Sequence, residues 1–154
     1  MPAPPDSPVR CLLDECLPPL VADVLAKIGH PITSVQALGK SGTPDEELIP
    51  WMGRERFIWI TKDDAARQRH LGPLRTAQLS VVWIRGMERS KSGLTIIQIH
   101  FLLTNKLPEI IAKVEASRTP LWFLLYLESG GRAILKPTPA FERLPGTVRR
   151  RGTM

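Results

Sequence analysis

Acidic side chains occur in three short groups along the first half of the 154-residue sequence. Asp14 and Glu15 follow a short apolar run, and Asp63 and Asp64 follow a β-branched and aromatic run. A third group, at 45–47, stands at the predicted start of a helix. Several carboxylates that converge without a cation repel one another, and Mg²⁺ or Mn²⁺ relieves that repulsion by binding their oxygens. A cation held in this way can activate water for attack on phosphorus.

The segments around these groups predict alternating strands and helices, followed by a hairpin. The predicted strands are 9–13, 32–35, 57–61 and 79–84, the helices 18–28, 43–51, 64–70, 95–103 and 107–116, and the hairpin 121–135. Such alternation predicts an α/β fold with a mostly parallel sheet and helices on both faces. Because sites in these sheets form at the carboxyl ends of strands, the acidic groups meet at one edge if strands 9–13 and 57–61 are neighbours.

Each carboxylate also has a structural explanation. Asp14 could cap the helix that begins near Pro18, and Asp63 could cap the helix after it. Asp45 and Glu46 could be favourable charges at a helix N-terminus. For each residue alone, a structural role and a role in metal binding both stay open. The shared position of the three groups favours a metal site.

Three stretches of the sequence, in the same order, resemble PIN-like domains of the VapC type, the ribonuclease toxins of bacterial toxin–antitoxin systems. The stretches are LLDECLPPLVADVLAKIGH, TPDEELIPWM and FIWITKDD, and the similar region covers about residues 9–85. The family pattern reads D-E-N-L-P, then D-E-E at a helix start, then T-x-D-x-D-F. This sequence departs from it at Cys16, which replaces the asparagine, and at Asp64, whose spacing is shifted and which lacks the following phenylalanine.

The resemblance implies a PIN-like three-layer fold with a mostly parallel central sheet and a C-terminal β-hairpin. It implies a ribonuclease that depends on Mg²⁺ or Mn²⁺, with RNA as substrate and a cognate antitoxin as partner. The implied metal ligands and catalytic residues are Asp14, Asp45 and Asp63, and the weaker candidates are Glu15, Glu46 and Asp64. The alternative function is a catalytically silent PIN-like module that binds nucleic acid or protein.

Positive charge is concentrated in the second half of the chain, whose overall net charge is +6. Residues 1–77 contain 9 Lys and Arg against 10 Asp and Glu, whereas residues 78–154 contain 12 against 5. This asymmetry fits either a polyanion that binds beside an acidic pocket or a solvated basic surface with a basic tail. The candidate RNA-binding residues are Arg85, Arg89, Lys91, Arg149, Arg150 and Arg151.

The length predicts one domain with a sizeable core. We expect a disordered N-terminus at 1–8, the PIN-like domain at 9–136 and a basic tail containing proline and glycine at 137–154. The opening residues lack the pattern of a signal peptide, and no apolar stretch is long enough to span a bilayer. These features predict a cytoplasmic protein without membrane association. The apolar region at 95–116 is either buried on two sides or forms an interface, with a second copy or with an antitoxin.

Two other folds also gather acidic residues after parallel strands. A receiver domain needs a threonine after its fourth strand, where this chain has Arg85. A haloacid-dehalogenase-like phosphatase needs a second aspartate where this chain has Cys16. Both folds are therefore disfavoured, and the two cysteines and three histidines do not have the spacing of a zinc site.

Overall fold

The computed structural model describes residues 8–63, 69–86 and 93–138. Within these residues the strands are β1 (Arg10–Leu13), β2 (Ile32–Ser34), β3 (Phe57–Thr61), β4 (Ser80–Arg85), β5 (Trp122–Leu127) and β6 (Ala133–Pro137). The helices with described bounds are α1 (Pro19–Lys27), α2 (Asp45–Arg54), α3 (Leu71–Thr76) and α4 (Ile96–Ala116). Both cysteines are free thiols.

The six strands form one sheet in the order β2-β1-β3-β4-β5-β6. All neighbours are parallel except β5 and β6, which form an antiparallel hairpin. The predicted mostly parallel sheet and the predicted hairpin are both confirmed. Strands β1 and β3 are direct neighbours, and Leu13 pairs with Ile60 in their register. The carboxyl ends of these two strands therefore coincide at one edge of the sheet.

Helices cover both faces of the sheet, as predicted, because both faces of its central strands are apolar. One core packs α1 and α4 against side chains such as Cys11 and Ile58, and the other packs α2 and α3 against Leu12 and Trp59. Cys11 and Leu12 are consecutive residues of β1, and Ile58 and Trp59 are consecutive residues of β3. In each strand the two side chains therefore point to opposite faces of the sheet. Burial on both faces explains why these strands read as continuous apolar runs.

Two helices continue through prolines, where the sequence predicts a break or bend at Pro108 and a shortening or kink at Pro50. Helix α4 passes through Pro108 and α2 passes through Pro50. A proline removes the hydrogen bond to the carbonyl four residues earlier, which belongs to Thr104 in α4 and to Glu46 in α2. Both residues are exposed, so water can bind these carbonyls while the buried face of each helix stays packed.

Helix α3 was not predicted, because its sequence LGPLRT contains glycine and proline. Pro73 lies in the first turn, where its missing N–H leaves no hydrogen bond unmade. Leu74 is fully buried and anchors the helix against the core that contains α2. Most of the helix predicted at 64–70, and the tail from 139 onward, lie outside the described residues.

The apolar side chains of α1 are only partly buried. Val21 and Leu25 lie in the core, whereas Leu20, Val24 and Ile28 are exposed. Helix α1 lies mainly over the edge strand β2, so some of these side chains extend beyond the sheet. Within residues 8–63, 69–86 and 93–138, no helix is long and apolar enough to cross a membrane.

Candidate active site

Two of the predicted site residues leave the sheet at the same edge. Asp14 directly follows β1, and its backbone N–H donates to the carbonyl of Ile60 at 2.8 Å, which extends the strand ladder by one residue. Asp63 follows β3 with one residue between, and the two strands are parallel neighbours. The Asp14 side chain is nearly buried, whereas that of Asp63 is partly exposed. The parallel pairing of β1 and β3 therefore brings Asp14 and Asp63 to the same edge of the sheet.

The Thr61 hydroxyl connects these two aspartates. Thr61 Oγ1 donates a hydrogen bond to Asp14 Oδ2 at 2.6 Å and accepts one from the backbone N–H of Asp63 at 3.1 Å. Asp14 Oδ1 also accepts the N–H of Glu15 at 2.9 Å. Because Thr61 is fully buried, its hydroxyl fixes the orientation of the Asp14 carboxylate with little freedom.

The Cys16 thiol, which replaces the asparagine of the family pattern, contacts the same two groups. Its Sγ lies 3.5 Å from Asp14 Oδ2 and 3.5 Å from Thr61 Oγ1. Partial burial raises the pKa of the Cys16 thiol, so the group remains a weak hydrogen-bond donor at neutral pH. The other cysteine, Cys11, is a core residue, and its complete burial raises the pKa of its thiol to about 12.

Asp45 is the first residue of α2 and faces this edge of the sheet. Its Oδ2 lies 3.1 Å from Nε2 of the buried His70. Burial, followed by repulsion from Asp14, raises the pKa of the Asp45 carboxyl; Asp63 adds to this rise, while His70 and Arg69 oppose it. The repulsion shows that the three predicted carboxylates share one electrostatic environment.

Asp63 is paired with a cation from the chain itself. Arg69 Nη2 lies 2.9 Å from Asp63 Oδ2, and both side chains are substantially exposed. Trp83 Nε1 donates to the Asp63 carbonyl at 3.2 Å, which holds the backbone of this residue against β4. Arg69 and His70 thus bring basic groups to two of the three carboxylates from the segment just before α3. No sequence motif predicts a role for either residue, and the signal that could have indicated one is their position shortly after the acidic end of β3.

The weaker candidates lie in different places. Glu15 Oε1 accepts the N–H of Gly42 at 3.0 Å, so this side chain holds the loop that precedes α2. Glu46 is exposed and borders a shallow surface cavity between α2 and α3, together with Gly72 and Thr76. Asp64 lies outside the described residues.

The described residues contain no group of three or more His, Cys, Asp or Glu side chains that is assembled to hold a metal ion. The side chains of Asp14, Asp45 and Asp63 instead accept hydrogen bonds or ion pairs from Thr61, His70 and Arg69. Their donor chemistry nevertheless fits Mg²⁺ or Mn²⁺, since all three supply carboxylate oxygen, and repulsion from Asp14 and Asp63 adds to burial in raising the pKa of the Asp45 carboxyl.

A cavity of about 240 Å³ opens between Lys62, the residue after β3, and the start of α4. Its lining includes Lys62, Arg85 and the backbone of Gly86 and Gly93 over an apolar floor. Arg85, a predicted RNA-binding residue, is the last residue of β4. It lies at the carboxyl edge of the sheet, the same edge at which Asp14 and Asp63 lie. The other predicted RNA-binding residues, Arg89, Lys91, Arg149, Arg150 and Arg151, lie outside the described residues.

Comparison with known proteins identifies the fold family. The profile of a family described as a PIN-like domain matches residues 9–86, which is half of the chain and includes β1 to β4 with all three predicted aspartates. No curated protein and no solved structure gives a significant match. The fold, the order of the motifs and the profile agree, and the chain belongs to the PIN-like domain family.

Proposed function

We propose that this protein is a metal-dependent endoribonuclease that acts as the toxin of a toxin–antitoxin pair in the cytoplasm. The observation on which the proposal rests is that Asp14 and Asp63 follow parallel neighbouring strands, with Asp45 near enough that repulsion from both adds to burial in raising the pKa of its carboxyl. The PIN-like fold supports nuclease activity, because PIN-like domains are commonly nucleases. Carboxylates that repel one another at the carboxyl edge of a parallel sheet are suited to a divalent cation.

In the proposed reaction, Asp14, Asp45 and Asp63 would hold Mg²⁺ or Mn²⁺ through their carboxylate oxygens. The bound cation would activate water and stabilise charge on the phosphodiester. Thr61 orients the Asp14 carboxylate through its hydrogen bond, and Asp63 would have to give up its ion pair with Arg69 to bind a cation. Lys62 and Arg85 attract the RNA backbone to the adjacent cavity, because cations beside an acidic pocket concentrate a polyanion there.

The toxin role rests on the resemblance of the three motifs to VapC-type proteins, and it implies a cognate antitoxin. A surface suited to a protein partner lies at the start of α4, where Ile97 is 80% exposed and Phe101 is 41% exposed. Exposed apolar residues on one helix are typical of interfaces. The same surface is the candidate for a homodimer, which light scattering on the isolated chain would reveal.

A second function, a catalytically silent PIN-like module that binds nucleic acid or protein, is favoured by one specific observation. Arg69 and His70 already neutralise or hydrogen-bond two of the three carboxylates. An acidic cluster satisfied by its own chain has less need of a metal. The two functions differ in whether divalent cations bind and support cleavage.

Cleavage of a mixed-sequence single-stranded RNA tests the proposal. The wild-type protein should cut with Mn²⁺ or Mg²⁺ and stop in EDTA. Asp14→Asn should lose the activity, whereas the matched control Asp23→Asn, an exposed residue on α1, should retain it. Wild-type protein that binds the RNA but does not cut it under any of these conditions would favour the silent module.

A further inference from the structure

His70 is a buried residue directed at the acidic site for which the proposed reaction names no role. Its side chain is 11% exposed, and its Nε2 points at Asp45 Oδ2 from 3.1 Å. The neighbouring pair, Arg69 and Asp63, has a similar distance but side chains that are 53% and 37% exposed. The contact between His70 and Asp45 is therefore the better shielded of the two.

Both residues of this contact are held by helices that pack on each other. His70 is the N-cap of α3, and its carbonyl accepts the N–H of Leu74 at 2.9 Å. Asp45 begins α2, whose own N-cap, Pro44, provides no side-chain cap. Helices α2 and α3 are in contact with each other. The fold thus fixes the imidazole in place. Its side chain therefore loses little conformational entropy when Asp45 binds a ligand.

We infer that His70 is a positioning residue for Asp45, an inference that rests on the proposed metal site. The imidazole Nε2–H donates to Asp45 Oδ2, so Oδ1 would be the oxygen that binds a cation. Hydrogen bonds of this kind orient metal-binding carboxylates, and their loss typically lowers metal affinity or activity about 10- to 100-fold. His70 acts through Asp45 and does not itself bind the metal.

Calorimetric titration of Mn²⁺ into the full chain tests this role with three variants. His70→Phe removes the N–H while keeping a planar ring, and it should weaken Mn²⁺ binding about 10- to 100-fold. His70→Gln keeps an N–H donor at a similar reach and should restore most of the affinity. His30→Gln is the matched control, since His30 lies in the loop before β2, and it should bind like the wild type. Thermal melting without metal shows whether each variant is folded.

The outcomes separate this inference from the proposed function. If the wild type binds Mn²⁺ and folded His70→Phe binds it equally well, the positioning role is wrong while the metal site stands. If folded His70→Gln loses as much affinity as His70→Phe, the hydrogen bond is not what His70 contributes, and the inference again fails. A nitrogen coupling from His70 in the electron paramagnetic resonance spectrum of bound Mn²⁺ would make it a ligand and overturn the inference. Wild-type protein that binds no Mn²⁺ removes the proposed metal site together with this role.

Discussion

At the scale of single residues, Thr61 is the link between the two strand ends of the site. Its hydroxyl is completely buried between the Asp14 carboxylate and the Asp63 backbone. Leu13 pairs with Ile60, so the next residues along, Asp14 and Thr61, are brought side by side by the strand register itself. The carboxylate is therefore oriented by the sheet and needs no loop to hold it.

Thr61→Val tests this link, because valine has nearly the same shape but lacks the hydroxyl. We expect the free energy of unfolding to fall by about 1–3 kcal/mol, since two buried polar groups lose their partner. Urea denaturation of the metal-free protein measures the change. Thr76→Val, at an exposed position of α3, is the control, and equal midpoints for the two variants would show that the hydroxyl does not stabilise the fold.

Arg69 should compete with a metal for Asp63. Exposed ion pairs typically contribute up to about 1 kcal/mol, so Arg69→Gln should strengthen Mn²⁺ binding by about fivefold or less. Arg54→Gln, an exposed change in the last turn of α2, controls for the general loss of positive charge. A weaker Mn²⁺ affinity in Arg69→Gln than in Arg54→Gln would show that Arg69 supports the site.

The places of Asp14 and Asp63 after two apolar strands were enough to predict that both residues leave the sheet at one edge if the strands are neighbours, whereas no local pattern predicted that the start of α2 would bring Asp45 near them. The contacts of Arg69 and His70 could not be predicted in the same way. Residues 64–68 separate them from the strand, and the direction in which the chain returns depends on how α3 packs against α2. That packing depends on tertiary contacts which no local pattern encodes.

At the scale of elements, the close approach of α2 to the end of α3 positions both members of the Asp45–His70 contact. Gly53 permits this approach, because a Cβ atom there would lie 2.6 Å from the carbonyl oxygen of Ala77. The contact is with backbone, which cannot move aside as a flexible side chain can. The glycine therefore sets the separation of the two helices.

Gly53→Ala should destabilise the protein by about 1–3 kcal/mol, since overpacking forces the helices apart. Gly72→Ala is the matched control within α3, where the added Cβ meets nothing within 4 Å. We expect that change to be neutral or stabilising by up to about 1 kcal/mol. Thermal or urea unfolding of the two variants measures both effects, and a Gly53→Ala protein as stable as Gly72→Ala would contradict the close packing.

Strand positions were predicted well because each central strand is apolar on both faces, and β3 was predicted at its observed bounds. Helices were predicted less well where proline was involved. The continuity of α4 depends on Pro108 lying on the exposed face, while Leu107 and Ile110 pack into the core. The sequence shows where the proline lies, but it does not show that packing of the buried face stabilises the helix more than the proline destabilises it.

At the scale of the whole molecule, positive charge is concentrated in the second half, because residues 1–77 have a net charge of −1 and residues 78–154 a net charge of +7. RNA affinity should fall steeply as salt rises, because binding releases counterions from the phosphates. Deleting the chain from Arg149 onward removes three arginines and should weaken RNA binding and flatten its salt dependence, with little change in Mn²⁺ affinity. Fluorescence anisotropy of a labelled RNA over a salt series measures both slopes. Identical slopes for the full and the shortened chains would exclude the tail from the RNA interface.

The central claim is that a cation held by the strand-end carboxylates cuts RNA. Its most direct test is the single-turnover cleavage rate of one RNA by wild-type protein and by Asp63→Asn, at the same saturating Mn²⁺ concentration. Asparagine keeps the shape and the backbone contacts of Asp63 but removes the charge that a cation needs. The account predicts that Asp63→Asn remains folded and loses cleavage. A folded Asp63→Asn protein that cuts RNA as fast as the wild type would contradict it.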